Sequence, residues 1–349
     1  MAPKVLVGMS GGVDSSVAAL LLQEQGYEVC GATLRLFTDK NNGPADAAED
    51  AREVCRKLGI EHYIYDFQEH FAQQVIGDFA AAYRAGRTHN PCVVCNRYIK
   101  FRLLYRQAQQ LGCANIASGH YARVEYHEDS GRWLLKKAAG AQKDQSYVLY
   151  GLDQQILSVT LFPLGGLSKA EVRRIAEAHG IGSAHKPDSQ DICFVPQGKY
   201  GDFLANLPGY AAAPGDFVDK SGRVLGRHRG LPYYTIGQRK GINISFGAPR
   251  YVTAIDAAAN TVTLGEEADL FSSSLLAGDV NLIALEKLSE PLQVQAKTRY
   301  KQPQTPATIS PLPDGRIQVQ FAQPQRALTP GQAVVFYAGE TVLGGGSIC

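Results

Sequence analysis

The chain opens with an unbroken apolar run, Val5-Leu6-Val7-Gly8-Met9, and turns at once to a polar, glycine-bearing stretch, Ser10-Gly11-Gly12-Val13-Asp14-Ser15-Ser16. An apolar run without alternation reads as a strand covered on both faces, as in a parallel sheet. Residues 17–22 are apolar again and read as a helix running to Gly26. The pattern then repeats. Strands are predicted over residues 29–37 and 62–66, and helices over 45–58, stopped by Gly59, and 71–83. Asn41-Asn42-Gly43-Pro44 reads as a turn.

A loop over 84–96 leads to a predicted helix over 97–111. Residues 114–123 read as strand, a break at Gly119, then strand, and 133–137 closes a hairpin. Lys143-Asp144-Gln145-Ser146-Tyr147-Val148-Leu149 begins a short helix whose first turn is polar and mixed in charge. Ser168 precedes a helix over 169–179, with Glu171 placed for a capping box. After about residue 205 the texture changes. Short strand-like runs alternate with Gly and Pro, and from 277 they alternate in polarity, which suggests a small barrel. The expected class is α/β: a parallel-sheet domain over 1–204, a central β-rich domain over 205–276 and a C-terminal β-barrel over 277–349.

Composition narrows this only a little. The 349 residues carry a formal net charge of +2, with 45% hydrophobic and 19% charged residues, as in a soluble globular protein. No apolar run approaches the ~20 residues of a membrane span. No signal peptide precedes the first strand, so a cytoplasmic location is expected. Seven cysteines, at 30, 55, 92, 95, 113, 193 and 349, are an odd set in such a chain. Catalytic or metal roles interest more than a disulfide framework.

The first polar stretch carries the clearest chemistry. A strand, a Gly-Gly turn and a hydroxyl-rich helix start make an anion site, because the first amides of a helix have no intrahelical acceptor. The Walker A spacing is absent, and so is G-x-G-x-x-G. Asp14 is unfavourable beside a phosphate unless a cation bridges them, which suggests Mg²⁺. Leu34, at a strand's carboxyl end, is placed to touch a base. Gly119 lets a backbone approach a nucleotide closely, and His120 follows it as a structural histidine or a substrate contact.

Cys92 and Cys95 form a C-x-x-C motif. It reads as half a zinc site, a thioredoxin-like dithiol or a reactive pair that works with a distant cysteine. With the helix starting near 97, Cys95 falls at or just before its N-terminus, beside Arg97 and Lys100. Both features are expected to lower its pKa. Cys193 lies in a polar, Pro-broken stretch, Lys186-Pro187-Asp188-Ser189-Gln190-Asp191-Ile192-Cys193-Phe194, and reads as functional.

The loop Ser10–Ser16 resembles the pyrophosphate loop of ATP pyrophosphatases, which GMP, asparagine and argininosuccinate synthetases share. Together with Asn90-Pro91-Cys92-x-x-Cys95-Asn96, Ser118-Gly119-His120-Tyr121, Lys143-Asp144-Gln145-Ser146-Tyr147, Ser189-Gln190-Asp191-Ile192-Cys193-Phe194 and Thr235-Ile236-Gly237-Gln238-Arg239-Lys240-Gly241, the chain resembles the bacterial tRNA-specific 2-thiouridylase family over its full length. That resemblance implies a PP-loop fold, ATP and Mg²⁺, and replacement of O2 of a tRNA wobble uridine (position 34) by sulfur. It implies a nucleotide site at Gly8, Met9, Ser10, Gly11, Gly12, Val13, Asp14, Ser15, Leu34 and Gly119. It implies a persulfide on Cys193 and Cys95 as the nucleophile that frees the sulfur by forming a disulfide with Cys193. Contacts to tRNA are implied at His120, Lys143, Asp144, Gln145, Arg299, Tyr300 and Gln332. The expected partners are the anticodon loops of tRNAs for Lys, Glu and Gln, and a sulfur donor, either a cysteine desulfurase or a relay protein. Some members carry an acid where this chain has Cys92, so Cys92, Cys95 and Cys193 could instead ligate a [4Fe–4S] cluster carrying a sulfide. Another adenylating synthetase and a nucleotide-dependent RNA-binding protein without catalysis stand as the rival classes.

Overall fold

The computed structural model describes residues 2–37, 44–140, 143–181, 192–195 and 199–349. The predicted turn at 41–44 falls mostly outside these residues, as does the Ser189-Gln190-Asp191 part of the second cysteine stretch. Among the described residues no helix is long and apolar enough to cross a membrane.

The apolar opening run forms β1 (Lys4–Gly8) at the centre of a five-stranded parallel sheet. Its neighbours are β2 (Glu28–Arg35), β3 (His62–Asp66), β4 (Asn115–Ala117) and β7 (Thr160–Leu161), in the order β3-β2-β1-β4-β7. Val5, Leu6 and Val7 have no accessible surface, the covering on both faces that the unalternating pattern requires. Helix α1 (Val13–Glu24) leaves the carboxyl end of β1, and α2 (Pro44–Leu58) packs beside it. The strand order reverses around β1, between β2 and β4, and the carboxyl ends there make the crevice where open sheets bind ligands.

The hairpin β5 (Ala122–His127) and β6 (Arg132–Lys137) departs from the expected layout. It lies within the N-terminal stretch of sequence yet pairs with the last strand of the C-terminal barrel. The central domain holds β8 (Gly215–Val218), β9 (Val224–His228), β10 (Tyr251–Asp256) and β11 (Thr261–Gly265) around Phe217, Val252, Val262 and Leu264. The barrel holds β12 (Phe271–Leu282), β13 (Leu292–Lys297), β14 (Thr305–Pro311), β15 (Ile317–Arg326), β16 (Ala333–Ala338) and β17 (Thr341–Ile348). Pairing of β12 with both β15 and β17 closes it. Strand β12 begins at Phe271, ahead of residue 277, so the barrel starts before the alternation becomes legible.

Because β6 extends the barrel's sheet, the two end domains share one core. Leu6 and Ile116 of the parallel sheet, Tyr147 and Tyr150, and Val335, Tyr337 and Val342 of the barrel belong to one buried cluster. Polar ties reinforce the seam: Tyr147 donates its hydroxyl to the Ala333 carbonyl (2.8 Å), and Asn281 Nδ2 donates to the carbonyls of Tyr150 (2.6 Å) and Leu152 (3.0 Å). The half-exposed Arg97–Asp279 ion pair (2.9 Å) adds at most about 1 kcal/mol. Burial of the shared aromatics, at about 1.5–3 kcal/mol per side chain, therefore dominates the docking.

Candidate active site

The polar loop after β1 is held open by its own hydroxyls. Ser15 and Ser16 donate to the Gly12 carbonyl (3.1 and 2.9 Å), and the Ser10 amide donates to Ser15 Oγ (3.1 Å). Gly11 has φ +72°, and a Cβ there would stand 2.6 Å from the Ala47 carbonyl oxygen of α2. Glycine is required on both counts. Gly119 is required for a related reason. A Cβ there would lie 2.7 Å from Asp14 C and Ser15 N, so the backbone it admits is the first turn of α1. Met9 is buried at the end of β1, and Leu34 is half-buried at the end of β2. Gly8 through Ser15, Leu34 and Gly119 thus gather at one edge of the sheet.

Asp14 is engaged by side chains of this protein. Tyr121 donates its hydroxyl to Oδ1 (2.7 Å), Lys169 Nζ lies 2.6 Å from Oδ1, and Lys143 Nζ lies 3.1 Å from Oδ2. The countercharge that the sequence reading sought in Mg²⁺ is supplied here by two ammonium groups. Tyr121 belongs to the Ser118–Tyr121 motif, whereas Lys169 does not stand out in the sequence. The cue available was Lys169 as the first residue of a well-capped helix.

The cysteine site is built differently. The helix carrying Cys95 starts earlier than the pattern indicates. Asn90 caps it through Oδ1, which accepts from the Cys92 amide (3.1 Å), and Pro91 occupies its first turn. Residues Cys95–Lys100 form a π-helical turn, and Phe101–Gln110 continues as α-helix. Cys95 therefore sits a full turn inside the helix, where the terminal dipole effect has faded. It is 5% exposed, among Phe71, Phe79, Val94, Ile99 and Leu103. Burial pushes its thiol up to about 12, against the Lys100 ammonium, which pulls the other way. The expected lowering fails because desolvation outweighs both local features.

Phe194 brings the second cysteine to this chamber. Its ring meets Phe71 (5.3 Å), Phe203 (5.4 Å) and Phe79 (5.7 Å), within the cluster that buries Cys95. Cys193, one residue earlier, reaches the surface as a free thiol. Surrounding protein raises its pKa as well, opposed first by Lys100 and then by the backbone amides of 193 and 194. Cys92, Cys95 and Cys193 all act electrostatically on Lys100. Lys100 is thus the cation common to the three thiols. Among the described residues no three His, Cys, Asp or Glu stand close enough to hold a metal ion.

The remaining candidates line the rim. His120 hydrogen-bonds Ser118 Oγ through Nδ1 (2.9 Å) beside Phe101, and burial, aided by Lys100, pushes its pKa down to about 3. Asp144 accepts from the Ala138 and Ser146 amides and from Ser146 Oγ. Gln145 Oε1 accepts from the Tyr121 amide (2.9 Å). Tyr300 of the barrel, 38% exposed, lies within electrostatic reach of Asp144, Lys143 and Cys92. Arg299 faces inward, to the Ala327 carbonyl (3.0 Å) and Thr329 Oγ1 (2.9 Å), and Gln332 Nε2 donates to the Thr88 carbonyl (3.0 Å). Arg299 thus ties strands and loops of the barrel to one another, and Gln332 braces the barrel against the loop that precedes the cysteine helix.

The fold and site define a three-domain protein with an ATP-pyrophosphatase-type loop and a cysteine chamber. Residues 3–197 match the family description "tRNA methyl transferase HUP domain", 201–266 its PRC-barrel domain, and 272–348 an aminomethyltransferase β-barrel domain. The tRNA-specific 2-thiouridylase MnmA of Acetivibrio thermocellus is 48% identical over 354 residues, covering 99% of each chain. That of Halothermothrix orenii is 49% identical over 354 residues, covering 99% of this chain and 98% of the relative. The chain belongs to the tRNA-specific 2-thiouridylase family.

Proposed function

We propose that this protein is a tRNA-uridine 2-sulfurtransferase that adenylates O2 of the wobble uridine with ATP and replaces it with sulfur. One observation supports the reading: Phe194, next to the exposed Cys193, packs into the chamber that buries Cys95, on a chain that also carries the polar loop after β1. A lone adenylating synthetase has no use for that pairing.

The loop amides and hydroxyls from Gly8 to Ser15 hold the ATP phosphates, while Leu34 and Gly119 border the adenosine. Attack of uridine O2 on the α-phosphorus forms the O–P bond and expels pyrophosphate. The terminal sulfur of a Cys193 persulfide then attacks C2, and AMP leaves. Cys95 thiolate attacks Cys193 Sγ, breaking the S–S bond to the substrate. This releases the C2 thiocarbonyl and leaves a Cys95–Cys193 disulfide, which a thiol reductant opens for the next turnover.

Tyr300, Lys143 and His120 face the flipped base or its neighbours, and Asp144, Gln145, Arg299 and Gln332 shape that surface. The acceptors are tRNAs for Lys, Glu and Gln, and a cysteine desulfurase or relay protein loads Cys193. The work is done in the cytoplasm, where thiols stay reduced.

The test is incubation with ATP, Mg²⁺, a persulfide donor and unmodified tRNA, followed by nucleoside mass spectrometry. The expected result is 2-thiouridine with matching AMP. Tight tRNA binding with neither product would overturn the reading.

A further inference from the structure

Lys169 sits where local physics disfavours it. It is the first residue of the helix Lys169–Ala178, at the positive end of that helix's dipole, where an acid is the stabilising choice. The helix is otherwise well started: Ser168 and Glu171 form a reciprocal capping box, with the Ser168 amide 2.7 Å from Glu171 Oε2. A local rule broken within an otherwise consistent element points to a site role.

The partner is as informative. Asp14 lies in the first turn of α1, where the α1 dipole already favours its charge, and the Tyr121 hydroxyl already bonds Oδ1. Its geometric effect is to fix two ammonium groups at the glycine-bearing loop that Asp14 belongs to. Packing pins the lysine's position. Val172 and Ala176 of its helix share one buried cluster with Val13, Val17 and Ala18 of α1. The Lys169 side chain is 17% exposed, so its contacts are made in partly excluded solvent, where charge pairing is stronger.

We propose that Lys169 is a catalytic residue of the adenylation step, its ammonium held by Asp14 and contacting the β- and γ-phosphates of ATP and the departing pyrophosphate. Lys143 stands on the other carboxylate oxygen and helps to hold Asp14 in place. The inference rests on the ATP-dependent reading above and adds a residue to its leaving-group site. As the P–O bond to pyrophosphate breaks, charge grows on the β-phosphate, and a positioned ammonium stabilises it more than the ground state.

The experiment measures ATP, pyrophosphate and AMP binding, together with pyrophosphate release in the presence of tRNA, for wild type, Lys169→Met and Lys169→Arg. In Lys169→Met, ATP and pyrophosphate should bind roughly 10- to 100-fold more weakly, with AMP affinity unchanged. Pyrophosphate release should slow further at saturating ATP, and Lys169→Arg should recover much of both. Unchanged ATP affinity and release rate in Lys169→Met would overturn the proposal. So would equal loss of ATP and AMP binding, the mark of a merely structural lysine. Wild type that binds ATP yet releases no pyrophosphate would overturn the adenylation reading instead, and the ATP-to-AMP comparison would still decide for Lys169.

Discussion

The nucleotide loop and the cysteine chamber lie on one domain and solve opposite problems. The loop is polar and partly open, and its charged groups are already paired: Asp14 holds two lysines and a tyrosine. The chamber is apolar, and its key group is kept neutral: Cys95 is buried with its thiol pushed up to about 12. The loop is organised to stabilise charge at once. The chamber withholds a reactive thiolate, and Lys100 is the built-in counterweight. Such a division suits a two-step reaction in which the nucleophile should act only after the adenylate has formed.

The largest expected effect separates the two regions outright. Cys95→Ala and Cys193→Ala should each lower 2-thiouridine formation by roughly three orders of magnitude or more, with ATP affinity unchanged. Parallel loss of ATP binding would mean that the regions are one structural unit. A smaller effect follows from Lys100. Lys100→Met should slow iodoacetamide alkylation of Cys95 and Cys193 at pH 8 by about tenfold, as a thiol pKa rises by about one unit. Faster alkylation would show that Lys100 does not support the thiolates.

The smallest effect concerns stability. His120 takes up its proton at about 3 when folded, against 6.5 in the unfolded chain. Between these values the unfolded chain binds the extra proton, so the contribution is complete above pH 6.5 and is lost as pH falls toward 3. The urea midpoint of wild type should therefore drop more between pH 7 and pH 5 than that of His120→Gln. An equal drop would contradict the burial of a neutral imidazole.

Legibility in the sequence follows locality. The loop is contiguous, so its residues, its glycines and the strand before it can be read together. The capping box at Ser168 and Glu171 was legible for the same reason, and the structure contains it. The pairing of β6 with β17 joins segments some two hundred residues apart and leaves no local mark. The start of the cysteine helix is hidden from the apolar pattern, which becomes periodic only near 97. Asn90-Pro91, a cap followed by proline in the first turn, carried the correct signal. That shift moves Cys95 from a helix end to a helix interior, and its burial there reverses the expected direction of its pKa. Phe194 and Lys169 acquire meaning only from partners brought near by folding.

The most direct test of two separable half-sites is pyrophosphate release by Cys193→Ala with ATP and unmodified tRNA, without a sulfur donor. The account predicts a burst of about one pyrophosphate per active site, no 2-thiouridine, and an adenylated tRNA left on the protein. No release until Cys193 is restored would contradict it, because adenylation would then depend on the cysteine chamber.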